Sequence, residues 1–340
     1  DAMVAEYLRQ IGRFVDAEGR PIETPLRRQI VAAPGSRNPL FLRTVLEELR
    51  QFGSFEKLPD RVAHYLEARD PKELLLRVIR RWQEDFDSRD SEGRDRDLVR
   101  RALTHLWAAR QGLSEPEWLD LLGMGDCRSS TDESQIANRK SQMPTPLPRA
   151  LWTPFFLALE PHLSQRAGLF AYGHDFLRQA VEQTWLTQPD AQRTARLTIA
   201  DYFERHPNQA EMTPRKAAEW PFQLHAAQLW ERLEACLTDI PFFLALCNDR
   251  TKWELIGYWH PLRAEPLKRD MGACYSAAYS AWSATPANAV NHYVPANLGQ
   301  FLSDNGLYSA AEPLLRRALE ALERVLGPEH PDTLVSVNNL

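Results

Sequence analysis

The sequence of 340 residues contains little cysteine, and its cysteines are not spaced as ligands. Cys127, Cys236, Cys247 and Cys274 form no CxxC pair and no other metal-ligand pattern. Such isolated thiols are typical of reduced cysteines in a cytosolic protein rather than of a disulfide framework. The cysteine usage therefore predicts a cytoplasmic protein without a metal site.

Long apolar runs are also missing. The longest is "PFFLALC" at residues 241–247, which is far too short to cross a bilayer. No secretory signal opens the sequence. We therefore expect no membrane partner. Because the chain begins at Asp1 without an initiator Met and stops at Leu340 inside a helical pattern, we interpret it as part of a longer protein.

Neither a large net charge nor a catalytic motif is present. A net charge of −5 favours neither nucleic acid nor an anionic membrane as a partner. The sequence has no G-x-x-x-x-G-K-[ST] loop to hold phosphates, and no apolar run ends in paired acids that would hold Mg²⁺. The nine histidines are scattered. We therefore predict no catalytic residue and no enzyme activity for this chain by itself.

What the sequence does contain is helical periodicity from end to end. Residues 30–53 predict a Pro/Gly turn followed by an amphipathic helix, whose apolar stripe is Leu42, Val45, Leu46 and Leu49. Two further helix starts carry capping signals. One is Asp70 followed by Pro71 and Glu73, and the other is Ser114 with Glu117.

Residues 67–188 carry the pattern of a winged helix. Three helical segments, at 94–112, 113–123 and 148–163, precede a predicted hairpin at 163–172. A further helix is predicted at 174–187. Asp175 suits the first turn of that helix, whereas a protonated His174 would oppose its dipole. His174 is therefore expected to be neutral or to face an anion.

The block at residues 190–284 is helical and rich in aromatic residues. Helix starts are predicted at Pro189-Asp190 and at Thr213-Pro214. We expect Trp230, Trp253 and Trp259 to form the core of this block.

A repeat follows. Asn297-Leu298 recurs as Asn339-Leu340, 42 residues later. The intervening sequence has the order of small and large residues that is typical of a tetratricopeptide repeat, namely Leu298, Gly299, Leu302, Gly306, Tyr308, Ala311, Leu315 and Ala318. The pattern predicts one complete repeat and the start of a second, with Pro295 marking a late start of the leading helix.

Three stretches resemble a known family. "GLYSAAEPLLRRALEALERVLGPEHPDT" resembles the long tetratricopeptide unit of kinesin light chains. Residues 36–66, "SRNPLFLRTVLEELRQFGSFEKLPDRVAHYL", resemble the helical region that follows the nucleotide-binding core of STAND (NACHT-type) ATPases of the nephrocystin-3-like group. "WERLEACLTDIPFFLAL" is similar to the segment that joins that ATPase to its repeats.

The resemblance implies a nucleotide contact. In such ATPases this region forms a lid over the nucleotide, and Pro39 in "NPLFL" stands where a proline packs against adenine. Gly173-His174-Asp175 stands where an "MHD"-like triplet contacts the ADP β-phosphate and holds the off state, with Gly in place of Met. The resemblance thus implies Pro39 and His174 as cofactor-binding residues, for ADP or ATP in the full-length protein only.

Plainer alternatives stay open at these positions. Pro39 is also explained as an ordinary first-turn proline. His174 is also explained as a histidine at a helix start with local hydrogen bonds. Arg37 and Arg43 could reach a phosphate, but solvated charges explain them as well.

The predicted fold class is mainly α. It comprises a helical subdomain at 1–66, a winged-helix domain with a small β-hairpin at 67–188, a helical connector at 189–286 and the start of an α-solenoid of tetratricopeptide repeats at 287–340.

Three functional hypotheses follow. The first is the regulatory part of a STAND ATPase, which latches ADP, binds a protein partner through its repeats, contacts the NTPase core in cis and forms homo-oligomers on activation. The second is a non-catalytic tetratricopeptide scaffold. The third is a DNA-binding regulator, and charge argues against it because residues 113–122 and 148–163 offer Arg149 as their only Lys or Arg among several acids.

Overall fold

The structure is a computed structural model of a mainly helical chain with a two-stranded sheet in its described part, which confirms the predicted fold class. It divides into two compact units, Asp1–Ala195 and Arg196–Leu340. The boundaries between the four predicted domains stay predictions. The structure describes residues 4, 6, 7, 24–51, 58–87, 97–124, 145–248, 251–285, 288 and 291–338.

The first unit holds the helices and strands that surround the predicted site. In chain order they are α1 (Pro25–Ala32), α2 (Pro39–Gln51), α3 (Leu58–Leu66), α4 (Pro71–Phe86), α5 (Leu98–Ala108), α6 (Glu115–Gly123), α7 (Arg149–Leu159), β1 (Leu163–Arg166), β2 (Leu169–Tyr172) and α8 (Asp175–Trp185). Short 3₁₀ turns occupy Pro34–Arg37 and Glu160–His162. The next helix, α9 (Pro189–Arg205), contains the boundary between the two units.

The predicted caps form, with one difference. The Asp70 carboxylate accepts the backbone N–H of Glu73 at 2.8 Å. The Glu73 carboxylate, however, accepts from the backbone N–H of Arg69 at 3.0 Å, one residue before the predicted partner. At α6 the box is complete, because Ser114 and Glu117 each accept the other's backbone N–H. These bonds satisfy donors that a helix start leaves free.

The core of the first unit is aliphatic and aromatic. The predicted stripe of α2 is fully or almost fully buried, at Leu42, Val45, Leu46 and Leu49. Trp82 lies edge-on to Phe155 with ring centroids 5.8 Å apart, and Trp118 lies 5.0 Å from Trp152. Edge-to-face and tilted contacts of this kind favour aromatic packing beyond the area buried.

The hairpin forms where it is predicted. Leu163 of β1 pairs with Tyr172 of β2, and the turn uses Ala167 and Gly168, both with positive φ. The Tyr172 hydroxyl donates to the carbonyl of Leu103 in α5 at 2.6 Å, which fixes the end of β2 against the helices. The order α5, α6, α7 and hairpin is the one that a winged helix requires. The winged-helix assignment itself stays a prediction.

The second unit continues with helices only in its described residues. They are α10 (Pro214–Ala226), α11 (Trp230–Thr238), α12 (Ile240–Leu246), α13 (Lys252–Arg263), α14 (Met271–Ser283), α15 (Tyr293–Asp304), α16 (Tyr308–Leu326) and α17 (Pro331–Asn338), with a 3₁₀ turn at Pro207–Gln209. The helix start predicted at Thr213 is confirmed, since its hydroxyl accepts the N–H of Lys216 at 3.1 Å.

The expected tryptophan core is only partly right. Trp259 is buried, and its indole N–H donates to the Tyr275 hydroxyl at 3.0 Å. Trp230 is half-buried, whereas Trp253 is 68% exposed. Trp253 and Trp259 lie six positions apart on α13, and at about 100° per residue they point about 120° apart. One helix face therefore cannot bury both.

The predicted repeat is the helix pair α15 and α16. Its buried positions include Leu298, Leu302, Ala311, Leu315 and Ala318, as the pattern predicts. Tyr308 differs, because it is 69% exposed. The late helix start expected at Pro295 is wrong: α15 begins at Tyr293 and contains Pro295 in its first turn, where proline removes no helical hydrogen bond. The recurrence at Asn339-Leu340 lies outside the described residues.

Candidate functional site

Pro39 and His174, which lie far apart in sequence, line the same pocket in the first unit. The pocket has a volume of about 680 Å³. Pro39 is the first residue of α2, and His174 is the residue just before α8. The walls of the pocket also include Tyr7, Asn38, Leu40, Arg43 and Glu47.

The start of α2 holds Pro39 on the rim of this pocket. The Asn38 side-chain oxygen accepts the backbone N–H groups of Leu40 and Phe41 at 2.9 and 3.3 Å. Pro39 takes the first helical position, where its missing N–H removes no helical bond. Its side chain is exposed. This geometry satisfies the plain first-turn explanation and leaves the ring free to contact a ligand.

His174 occupies the N-cap position of α8 in an extended conformation, with φ −149° and ψ 146°. Its side chain makes no capping hydrogen bond and is exposed toward the pocket it lines. Asp175 lies in the first turn, where a carboxylate interacts favourably with the helix dipole. The N-terminus of α8 therefore presents a histidine beside the pocket.

A second, smaller pocket of about 140 Å³ adjoins the first. The two share Leu40, Arg43, Glu47 and His174. Of the two arginines considered from sequence, Arg43 therefore lines both pockets, and Arg37 lines neither.

His162 lines the smaller pocket and is a residue that the sequence did not single out. It is only 8% exposed, and its ring centroid lies 5.4 Å from that of Trp82. Burial, together with the nearby Arg43, Arg81 and His174 acting in the same direction, lowers the pKa of His162 to about 4. In "EPHL" it sits between a helix and a strand, so no periodicity could have identified it.

The charges near the pockets are largely paired. Glu47 forms an ion pair with Arg50 at 3.0 Å. The neighbouring Glu48 is buried, pairs with Arg81 at 2.7 Å and accepts the Tyr65 hydroxyl at 2.7 Å. Burial raises the pKa of Glu48. With both acids of α2 paired, Arg43 provides an accessible positive charge on the pocket walls and His174 an accessible hydrogen-bonding group.

Other kinds of site find no support in the described residues. Within those ranges no group of three or more His, Cys, Asp or Glu side chains could hold a metal ion. Cys236, Cys247 and Cys274 are free thiols, and burial raises the pKa of each. Cys127 lies outside the described part. No helix in the part of the chain that the structure describes combines the length and apolarity needed to cross a membrane.

Comparisons with known proteins point to the repeat. Over 303 residues the chain is 23% identical to a tetratricopeptide-repeat-containing protein of Dictyostelium discoideum, which covers 86% of this chain and 16% of that protein. It is 25% identical to human nephrocystin-3 over 257 residues, covering 72% of this chain and 17% of the relative. For nephrocystin-3 of Xenopus laevis the identity is 26% over 310 residues, with coverage of 89% and 22%.

The chain thus spans 16–22% of the length of these relatives. No solved structure matched it. Residues 296–332 match the family model described as "Tetratricopeptide repeat", and this segment coincides with most of α15, all of α16 and the turn into α17. The chain therefore contains a tetratricopeptide repeat.

Proposed function

We propose that this chain binds a protein partner through its repeat segment. The repeat at 296–332 carries this proposal, because stacked helix pairs present extended surfaces for protein ligands. Gly299 permits the close packing of the pair: a Cβ at this position would lie 2.7 Å from the Leu315 side chain. The helices therefore pack tightly and leave their outer faces to solvent.

The solvent face of α15 is the surface we assign to the partner. Tyr293, Asn297, Gln300 and Asp304 fall at helical spacing along this face. Tyr293 is 60% exposed, and the Gln300 amide donates to the Asp304 carboxylate at 2.7 Å. An exposed aromatic ring beside ordered polar groups is the composition that protein interfaces favour.

Site-specific cross-linking tests this assignment. A photo-cross-linking residue is placed at Gln300 in the natural full-length protein, and a second version carries it at Glu320, an exposed position on α16. We expect a discrete protein adduct from position 300, identified by mass spectrometry and lost in Tyr293→Ala. Equal adducts from both positions would contradict a partner surface on α15.

We also propose a second function, in which the first unit holds a nucleotide and acts as a STAND-type switch. The observation that supports it is that Pro39 and His174 line one pocket. Its volume of about 680 Å³ lies within the range of roughly 300–1,000 Å³ that is usual for ligand sites. In this proposal the repeats sense a partner, the intervening helices transmit the signal, and release of ADP permits oligomerisation.

The chemistry of the pocket suits an anionic ligand. The first backbone N–H groups of α8 and its dipole attract negative charge. The His174 imidazole can donate a hydrogen bond to a phosphate oxygen, and Arg43 can add a charge-assisted bond. Pro39, which lines the same pocket, offers an exposed apolar surface for a base. ADP or ATP would bind here together with an NTPase core in cis.

Nucleotide content tests the second proposal. The natural full-length protein is purified and heat-denatured, and the supernatant is assayed for ADP and ATP. We expect ADP at about one per chain, and at least fivefold less in His174→Ala. His64→Ala is the matched control, because His64 is half exposed and lines neither pocket. Absence of nucleotide from the wild-type protein would leave the scaffold function alone.

A further inference from the structure

The smaller pocket concentrates hydrogen-bonding groups from four parts of the fold. Arg43 and Thr44 come from α2, Ser164 from β1, His174 from the segment before α8, and His162 from the turn before β1. A volume of about 140 Å³ is several times the roughly 30 Å³ that one water occupies in the liquid. The pocket therefore has room for one tetrahedral oxyanion. Its walls carry hydrogen-bond donors that could bind such an ion.

His162 lines this pocket and has an unmet hydrogen bond. It is buried, and its Nε2 has no hydrogen-bond partner among the described residues. Native proteins rarely leave such a buried polar atom unpaired, because its lost hydration is then not replaced, so it calls for a structural explanation. A protonated Nε2 could donate a hydrogen bond to an anionic oxygen in the pocket, and this bond would satisfy it.

Burial, helped by the charged groups around it, keeps the His162 imidazole neutral while the pocket is empty. The titratable and charged groups that face it are Arg43 and Glu47 from α2, Arg81 from α4, and His174 from the segment before α8. Glu47 is paired with Arg50, and Arg81 with Glu48, so the acids are already engaged. A dianion bound among these groups shifts His162 from its neutral toward its protonated form, because a nearby opposite charge favours the protonated imidazole.

We propose that the smaller pocket binds a phosphate group and takes up a proton from solvent on His162 as it does so. The inference rests on the proposed nucleotide site, of which this pocket is the phosphate-binding part. By linkage, an anion whose binding is coupled to proton uptake binds more tightly as the pH falls. Mild acidification then favours retention of the ligand, and a rise in pH favours its release.

Sulfate is the probe, because it stays a dianion from about pH 5 to pH 8, the window in which histidines titrate. Any change of its affinity with pH therefore reports protonation of the protein. Binding of sulfate to the 340-residue chain is measured by calorimetry across this window. We expect the dissociation constant to rise with pH by up to about tenfold per unit, the limit for one linked proton. In His162→Gln we expect that slope to fall by more than half. His174→Gln should weaken binding throughout while keeping a slope.

A second measurement does not depend on a variant that packs differently. The ring carbon signals of ¹³C-labelled histidines are titrated in the wild-type chain, with the His162 signal assigned by its loss in His162→Gln. Saturating sulfate should move the His162 midpoint upward by at least one pH unit. An unchanged midpoint, or a slope lost in His174→Gln and kept in His162→Gln, would overturn the inference.

ADP retention by the full-length protein separates this inference from the function on which it rests. If ADP is retained but neither the sulfate slope nor the His162 midpoint responds, the nucleotide site stands and the role of His162 is refuted. If no ADP is retained at any pH, the nucleotide proposal fails and the inference fails with it.

Discussion

Gly173 donates its backbone N–H to the carbonyl oxygen of His162 at 2.9 Å. This bond closes the open end of the β1–β2 hairpin, one residue beyond the pairing of Leu163 with Tyr172. It also places His162 and His174 beside the same small pocket. The position that the resemblance would fill with Met is therefore occupied by a residue that lets two backbone segments approach closely.

Gly173→Ala should destabilise the first unit. A Cβ at this position would lie 2.9 Å from the His162 carbonyl oxygen and 3.3 Å from the backbone carbon of Leu163, which cannot move as a side-chain tip can. Overpacking of this kind typically costs about 1–3 kcal/mol. We expect urea denaturation to show a loss of that size. Gly257→Ala is the control, because a Cβ there meets nothing within 4 Å. It should be neutral or slightly stabilising, and an equal loss in both variants would contradict the argument.

His105 should make stability depend on pH. It is 5% exposed in α5, and burial lowers its pKa to about 3, with the charges of Arg101 and Arg100 acting in the same direction. The pKa of His105 is lower in the folded state than in the unfolded state, so the unfolded state takes up a proton first as the pH falls. The stability contributed by the neutral, buried His105 is therefore complete above about pH 6.5 and is lost as the pH falls toward the folded-state pKa. For one histidine, linkage gives a loss of about 2 kcal/mol between about pH 7 and pH 5.

The measurement compares the free energy of unfolding at these two pH values in the wild type, His105→Gln and His64→Gln. On acidification the free energy of unfolding should fall by about 2 kcal/mol less in His105→Gln than in the wild type, whatever the variant's stability at neutral pH. His64, whose side chain is 52% exposed, is the control, and its variant should keep the wild-type decrease. Identical pH slopes in all three proteins would show that His105 does not titrate on unfolding.

Gly299 and Leu315 should be energetically coupled. Gly299→Ala is expected to cost about 1–3 kcal/mol, because its Cβ would lie 2.7 Å from two carbons of Leu315. Leu315→Ala is expected to cost about 2–5 kcal/mol through the cavity it leaves. In the double variant those two side-chain carbons are gone and the backbone nitrogen of Leu315, at 3.2 Å, stays, so much of the clash is relieved. The combined loss should therefore be smaller than the sum by at least about 0.5 kcal/mol. Strict additivity in a double-mutant cycle would argue against close packing of α15 on α16.

The chain should not bind DNA at physiological salt. Arg149 is the basic residue in the two segments considered for DNA contact, 113–122 and 148–163. It forms an ion pair with Glu115 at 3.5 Å. Glu117 and Asp120 add negative charge and are themselves buried. With Arg149 paired and acids beside it, these two segments offer little counterion release to favour binding. A gel shift on genomic fragments should show no retarded band, and a salt-sensitive band would restore the transcriptional hypothesis.

The features that sequence predicted well are local. The caps at Asp70, Ser114 and Thr213 depend on side chains bonding within three or four residues, so short spacing suffices to find them. The stripe of α2 and the hairpin turn at Ala167-Gly168 are likewise short-range patterns. Trp253 was misplaced because aromatic content alone does not say which face of α13 is covered.

The candidate site needed more than local pattern. Pro39 and His174 were found through resemblance to a family, and the tertiary structure places both on one pocket. His162 carried no signal at all. Its proposed role depends on Trp82, whose ring lies against it, and on the nearby charge of Arg43. Both residues belong to other helices, and no periodicity in "EPHL" records them.

The residues of each segment were enough to predict helices along the chain, several helix starts and a tetratricopeptide repeat, because hydrogen bonding and side-chain spacing within a segment depend on its own residues. Three features followed from packing between segments: Gly173 approaches His162, Arg43 lines both pockets, and Trp253 is left to solvent. Burial, charge proximity and cavity shape arise between segments distant in sequence, and they exist only once those segments pack together.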